Sequence, residues 1–164
     1  MKEVLQMLGG IFRLLVLSAW VLVGCKDDNG DPSPYISMEE YLELYGDEYP
    51  GYKTTNSGLV YYIEEEGTGD TPEKGDVVSV HYTGYHLNDG KFDSSYDRGY
   101  PLSFTLGEGQ VIQGWDEGIA LLKKGGKATF FIPSYLGYGK DGGGSISSNE
   151  DLKFNVKLVD FDKK

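Results

Sequence analysis

Leu59, Tyr61 and Ile63 alternate with Val60 and Tyr62, a period of two that predicts a strand, closed by Glu64-Glu65-Glu66-Gly67. A second alternating run puts Val78, Val80 and Tyr82 on one face and Val77, Ser79, His81 and Thr83 on the other, so Tyr82 points into the core with the valines. Adjacency in the chain makes these two strands expected neighbours. Asn88-Asp89-Gly90 marks a tight turn, followed by Lys91-Phe92-Asp93-Ser94-Ser95 and a polar loop to Pro101. Three further alternating runs follow: Leu102, Phe104 and Leu106; Ala128, Phe130 and Ile132, ended by Pro133; and Leu152, Phe154, Val156 and Leu158. Only 111–122, VIQGWDEGIALL, departs from this period. Trp115, Ile119 and Leu122 fall at i, i+4 and i+7, Asp116 and Glu117 suit the positive end of a helix dipole, and Lys123-Lys124-Gly125-Gly126 supplies a stop. The pattern predicts five antiparallel strands with a lone helix covering one face, an α+β domain.

Upstream of the strands the pattern changes character. Leu14 to Val23 is apolar, broken only by Ser18 and Ala19, preceded by Lys2 and Arg13 and too short to span a bilayer. It reads as the hydrophobic region of a signal peptide, and Leu22-Val23-Gly24-Cys25 resembles the lipobox of bacterial lipoproteins, with Cys25 as the lipidated residue. The expected organisation is a signal peptide with lipobox over 1–24, a tether and short pre-domain segment over 25–57, and a globular domain over 58–164. Such a protein is an exported, membrane-anchored lipoprotein on the periplasmic side of the envelope, in the outer membrane in preference to the inner, and Lys26-Asp27-Asp28 resembles a surface-export signal. The residues after Cys25 are charged and rich in turn formers, as a flexible tether requires. Ser37 and Glu40 have capping-box spacing for a short helix ahead of Pro50, expected to pack loosely on the domain if it packs at all.

Composition narrows the chemistry. A formal charge of −11 offers no footprint for phosphate backbones, so nucleic acid is excluded as a partner. Without residues 1–24 the remaining 140 carry 13 Lys and Arg against 25 Asp and Glu, a formal −12. One cysteine and two histidines exclude a disulfide framework and leave little for a metal, and no cofactor is expected. Asp27, Asn29 and Asp31 open like a calcium loop, but Pro32 stands where glycine is needed and Met38 where a bidentate Glu is needed. Neither histidine sits in a nucleophile motif, and Gly142-Gly143-Gly144 lacks the ending of a phosphate loop.

Four separated motifs stand in order: Val80-His81-Tyr82-Thr83-Gly84; Gly90-Lys91-Phe92-Asp93-Ser94-Ser95; Gly107 with Val111-Ile112-Gln113-Gly114-Trp115; and Ile132-Pro133-Ser134-Tyr135-Leu136-Gly137-Tyr138-Gly139. Together they resemble the FKBP-type peptidyl-prolyl cis-trans isomerases over about Gly58 to Phe161. The resemblance implies a five- to six-stranded antiparallel half-barrel wrapped around one short α-helix, and non-covalent isomerisation of X-Pro bonds that assists the folding of exported proteins. It implies a monomer acting on proline-containing polypeptides, with macrolides as inhibitors. By matching position, Tyr82, Phe92, Asp93, Val111, Ile112, Trp115, Tyr138 and Phe154 line the proline pocket, with Trp115 as its floor and Ile146 in its wall. The resemblance makes the Ile112 N–H and the Tyr138 hydroxyl donors to substrate carbonyls, places Asp93 beside the twisting amide, and has Arg98 hold the Asp and Tyr side in place. Three departures stand out: Leu102 where an aromatic is usual, Ser147-Ser148 in place of a Pro-Pro pair, and a short, glycine-rich Gly142–Ser145 before it. They imply a wider, less preorganised pocket, and keep open a second reading as a non-catalytic peptide-binding module. Taken singly, Tyr82, Phe92, Trp115 and Phe154 read as core, Asp93 as a turn former and Arg98 as a solvated charge; in register they read as a site.

Overall fold

The computed structural model describes residues 36–164, and the expected signal peptide, Cys25 and the expected tether up to Tyr35 lie outside the described residues. Ser37–Lys164 forms one compact unit. Its elements are α1 (Met38–Tyr45), β1 (Lys53–Thr54), β2 (Val60–Glu65), β3 (Val77–His86), β4 (Lys91–Ser94), α2 (Ser95–Arg98), β5 (Leu102–Thr105), α3 (Gln113–Ile119), β6 (Lys127–Ile132) and β7 (Leu152–Asp162), with short 3₁₀ turns between them.

All pairings are antiparallel, in the order β1-β2-β6-β7-β3-β4, with β5 alongside β3. The alternating runs found in the sequence become β2, β3, β5, β6 and β7, and β1 and β4 are added at the ends of the sheet. β2 does not pair with β3 as chain adjacency suggested; its partners are β1 and β6. β3 instead runs its whole length along β7, from Val77 opposite Asp162 to His86 opposite Leu152, while β5 and β4 pair its other edge, so both edges of the strand have partners.

One face of the sheet curls over α3 and buries Leu59, Val78, Val80, Phe130, Ile132, Leu152 and Leu158 with Trp115, Ile119 and Leu122. The helix is shorter than its apolar stripe: it stops at Ile119, Leu121 N–H and Leu122 N–H turn back to the carbonyls three residues before them, and Leu122 is buried from the loop. Gly125 takes the left-handed conformation (φ 80°) in the turn before β6, where its N–H donates to the Leu158 carbonyl, so it shapes that turn and does not cap the helix. Two glycines set the distance between helix and sheet. A Cβ on Gly118 would lie 2.6 Å from the Phe130 ring, and one on Gly114 would lie 2.7 Å from Ile132, so only glycine lets the helix approach this closely.

The outer face is covered as well, which corrects the expectation of a loosely packed pre-domain segment. Ser37 caps α1 by accepting the Glu40 N–H at 3.2 Å, as the capping box predicts. Tyr41 is only 3 % exposed, its ring centroid 5.5 Å from that of Phe131, and Tyr49 meets Phe131 edge-on at 4.9 Å. Lys153 Nζ donates to the Tyr41 hydroxyl at 2.9 Å and to Asp89 at 2.6 Å, and the Met38 N–H donates to Asp151 at 3.0 Å. Phe131 and Lys153, on the nominally polar register of β6 and β7, are thereby both buried.

Candidate active site

β3, β4, β7 and the amino-terminal end of α3 meet around a cavity of about 180 Å³ lined by aromatic and aliphatic side chains. Trp115, 3 % exposed, forms its floor: Tyr82 meets the indole edge-on at 4.8 Å, Phe154 edge-on at 5.4 Å, and Phe92 meets Phe154 edge-on at 5.5 Å. These edge-to-face contacts fix each ring by the next, which keeps the cavity open where flexible side chains would collapse into it. Gly84 makes the room, since a Cβ there would lie 2.6 Å from the Phe92 ring and 2.8 Å from Phe154. Trp115 Nε1 is buried and has no hydrogen-bond partner among the described residues.

Polar groups stand at three places on the wall. At the first, the Tyr82 hydroxyl donates to Asp93 Oδ2, Arg98 Nη1 donates to Asp93 Oδ1 at 2.6 Å, and Arg98 Nη2 donates to the Tyr82 hydroxyl oxygen at 2.7 Å. β4 and α2 build this triangle. Ser94 caps α2, and Gly99, with φ 81°, ends it one residue past Arg98. Burial pulls the Asp93 carboxyl upward, but the hydrogen bonds from Tyr82 and Arg98 outweigh it and hold the group below the ordinary carboxylate range. Burial, reinforced by the Asp93 charge, raises the Tyr82 phenol. Both Asp93 oxygens are thus engaged, and its charged form is the favoured one.

The second polar group is the Ile112 N–H. Ile112 precedes α3 in extended backbone with no side-chain cap, and its N–H has no hydrogen-bond partner among the described residues. Asp116 fixes this entry to the helix by accepting the Gly107 N–H at 2.8 Å and the Gly109 N–H at 3.1 Å. The third is the Tyr138 hydroxyl, on a ring 40 % exposed at the cavity mouth. Burial of part of the ring and the nearby Asp93 charge raise its phenol, so it remains a donor.

A family model for FKBP-type peptidyl-prolyl cis-trans isomerase matches residues 69–159. This chain belongs to that family. Among curated relatives it is similar to the FKBP-type peptidyl-prolyl cis-trans isomerase FkpA of Aeromonas hydrophila, 49 % identical over 76 % of this chain and 46 % of the relative. It is 50 % identical to an FK506-binding protein of Neisseria meningitidis serogroup B, over 62 % of this chain and 94 % of that protein. The crystal structure of FkpA from Escherichia coli superposes with a TM-score of 0.70 at 45 % identity, covering 76 % of this chain and 57 % of that one. AtFKBP13 gives 0.63 at 37 % identity, over 66 % of this chain and 97 % of that one. The chain thus spans about half the length of the FkpA relatives that it matches.

Of the FKBP pocket residues expected from the sequence, Tyr82, Phe92, Asp93, Leu102, Val111, Ile112, Trp115, Tyr138 and Phe154 all line the cavity. Arg98 stands behind them, bonded to Asp93 and Tyr82. Ile146 does not reach the cavity wall: it is buried in the core cluster beside it. The lining also includes Gln110, which the sequence reading passed over; its Oε1 accepts the Thr105 N–H at 2.9 Å, and its place immediately before Val111 was the available signal. The loop expected to be flexible is tied in place. Gly143 and Ile146 exchange two backbone hydrogen bonds at 2.9 Å, the Asn149 N–H donates to the Gly139 carbonyl at 2.8 Å, and Ser148 Oγ donates to the Lys140 carbonyl at 2.7 Å. Among the described residues no three His, Cys, Asp or Glu side chains gather as a metal site.

Proposed function

We propose that this protein is a peptidyl-prolyl cis-trans isomerase that speeds the folding of exported proteins. The observation that carries the reading is the pairing of an apolar aromatic cavity with two hydrogen-bond donors, Ile112 N–H and the Tyr138 hydroxyl, that no neighbour engages among the described residues. Rotation about an X-Pro bond breaks amide resonance against a barrier of about 18–20 kcal/mol, and no covalent step is needed to lower it. The planar amide is more charge-separated than the twisted one, so a dry pocket disfavours the ground state more than the transition state. The ring seats on Trp115 between Tyr82, Phe92 and Phe154, while Ile112 N–H and the Tyr138 hydroxyl hold flanking carbonyls so that the rest of the chain turns against a fixed end. The fixed charge of Asp93, braced by Arg98 and Tyr82, orients the field across the bond. The cavity is small beside the roughly 300–1,000 Å³ of drug-sized pockets, which suits a single proline ring. The same apolar floor offers a seat to macrolides.

The test is cis-trans exchange in a short peptide with an apolar residue before proline, followed by protease coupling or NMR exchange. The protein is expected to accelerate it well above the uncatalysed tens to hundreds of seconds. An exchange rate equal to the control, with peptide still bound, would leave a peptide-binding module.

We further propose that Cys25 carries the lipid of an exported, envelope-anchored monomer, a reading supported by the apolar run and the lipobox at Leu22–Cys25. Among the described residues no helix is long and apolar enough to cross a membrane. Cys25→Ser is expected to move the protein from the membrane fraction to the soluble one; a variant that still sediments with membranes points to an uncleaved anchor.

A further inference from the structure

Glu150 is a charged residue in a polar run, Ser147-Ser148-Asn149-Glu150-Asp151, that reads as surface, yet it is only 3 % exposed. Burying a carboxylate is costly unless its oxygens are matched, and both are. Oε1 lies 2.5 Å from His86 Nδ1, and Oε2 accepts the Ser147 N–H at 2.7 Å. The two anchors stand behind two different lining residues, Phe92 and Tyr138. His86 ends β3, with its ring 5.2 Å from that of Phe92, a lining residue. Ser147 belongs to the loop whose neighbours Ser148 and Asn149 bond Lys140 and Gly139, directly after Tyr138. Gly143 of the same loop lies beside the Tyr138 ring, where a Cβ would come within 3.1 Å of it.

We propose that His86 and Glu150 are positioning residues: they form a buried strap that joins the Phe92 wall to the loop backing Tyr138, and so set the orientation of the Tyr138 hydroxyl over the cavity. The strap accounts for the serine at 147. A proline there has no N–H and would leave Glu150 Oε2 buried without its donor, so Ser147, Glu150 and His86 make sense only as a set. Where proline rings would stiffen this loop by fixing φ, here a buried carboxylate does it by hydrogen bonding. The proposal rests on the isomerase reading for its effect on turnover, but the strap itself is observable without it.

Two measurements on the whole protein test it. Amide hydrogen exchange at Ser147, Ser148 and Asn149 reads the strap directly, and peptide isomerisation, resolved into kcat and KM, reads its effect on the site. Glu150→Ala and His86→Ala are each expected to raise exchange at these amides and to lower kcat/KM about threefold to tenfold. Glu150→Gln keeps an acceptor for the Ser147 N–H at the same length, and is expected to retain most of the protection and so control for a variant that loses its fold. The decisive variant combines Glu150→Ala with Ser147→Pro and Ser148→Pro: it is expected to recover the kcat/KM that Glu150→Ala loses, because ring closure replaces the strap. Unchanged exchange in Glu150→Ala, or no recovery in the triple variant, overturns the proposal. Unchanged exchange in His86→Ala alone overturns the two-wall strap in favour of a local turn. Should the wild type show no isomerisation while the exchange pattern holds, the functional reading fails and the strap stands.

Discussion

Trp115→Ala is expected to cost about 3–5 kcal/mol of stability and to reduce kcat/KM by at least about a hundredfold. The side chain is 3 % exposed and touches Tyr82, Phe104 and Phe154, so truncation empties the space under three rings at once. A loss of that size is a large fraction of the roughly 5–15 kcal/mol that holds a domain together, so the variant must be measured well below its unfolding midpoint. Trp115→Phe separates the two effects. It keeps an aromatic floor and removes Nε1, a buried donor with no partner among the described residues, so no hydrogen bond is broken and stability should fall much less than in the alanine variant. Urea unfolding gives the stability and protease-coupled isomerisation the turnover. If Trp115→Phe unfolds as easily as Trp115→Ala, the indole nitrogen is engaged in a way this geometry does not explain. If Trp115→Ala stays folded and active, the cavity floor is not where the proline sits.

Asp93→Asn is expected to do the reverse, sparing the fold and lowering kcat/KM by about a hundredfold through misplacement of the wall. The Arg98–Asp93 pair is more than a third exposed on both sides, so its loss should change stability by no more than about 1 kcal/mol. An amide in place of the carboxylate turns an N–H₂ toward either Arg98 or the Tyr82 hydroxyl, both of which already donate there, and the triangle opens. Tyr138→Phe removes a hydroxyl that no neighbour engages among the described residues and should leave stability within about 0.5 kcal/mol, with a smaller loss of turnover. The carboxyl of Asp93 is held below its ordinary value, so its contribution is complete above the unfolded carboxylate value of about 4 and fades only as pH falls through the lower folded value. Turnover should therefore be flat on the acid side down to about pH 4, and an inflection between pH 5 and 6 that vanishes in Asp93→Asn would show the carboxyl taking part in proton transfer. Full activity in both Asp93→Asn and Tyr138→Phe would mean that desolvation by the aromatic rings suffices.

Much of the site could be read from the chain because its parts lie within local patterns. The inward register of Val78, Val80 and Tyr82, of Phe130 and Ile132, and of Phe154 and Val156 follows from a period of two, and each of these residues is buried as that period requires. The stripe of Trp115, Ile119 and Leu122 likewise faces the core, since side-chain direction along one element is a local property. Four motifs in order supply seven of the lining residues, and Leu102 and Phe154 follow from the same family register.

What the tertiary structure alone decided are the facts that depend on which distant segments meet. Periodicity says that β2 is a strand but not that β6 lies beside it, because strand order is fixed by global packing and not by the repeat of either strand. It assigns Phe131 to the polar side of β6, and only the docking of Tyr41 and Tyr49, some eighty to ninety residues earlier, makes that side dry. It extends α3 to Leu122, whereas the turn into β6 ends the helix at Ile119 and still buries Leu122. It says nothing of Glu150, which is buried beside His86, 64 residues away. A local pattern records which way a side chain points, and a sequence read one window at a time cannot record what will be there to meet it.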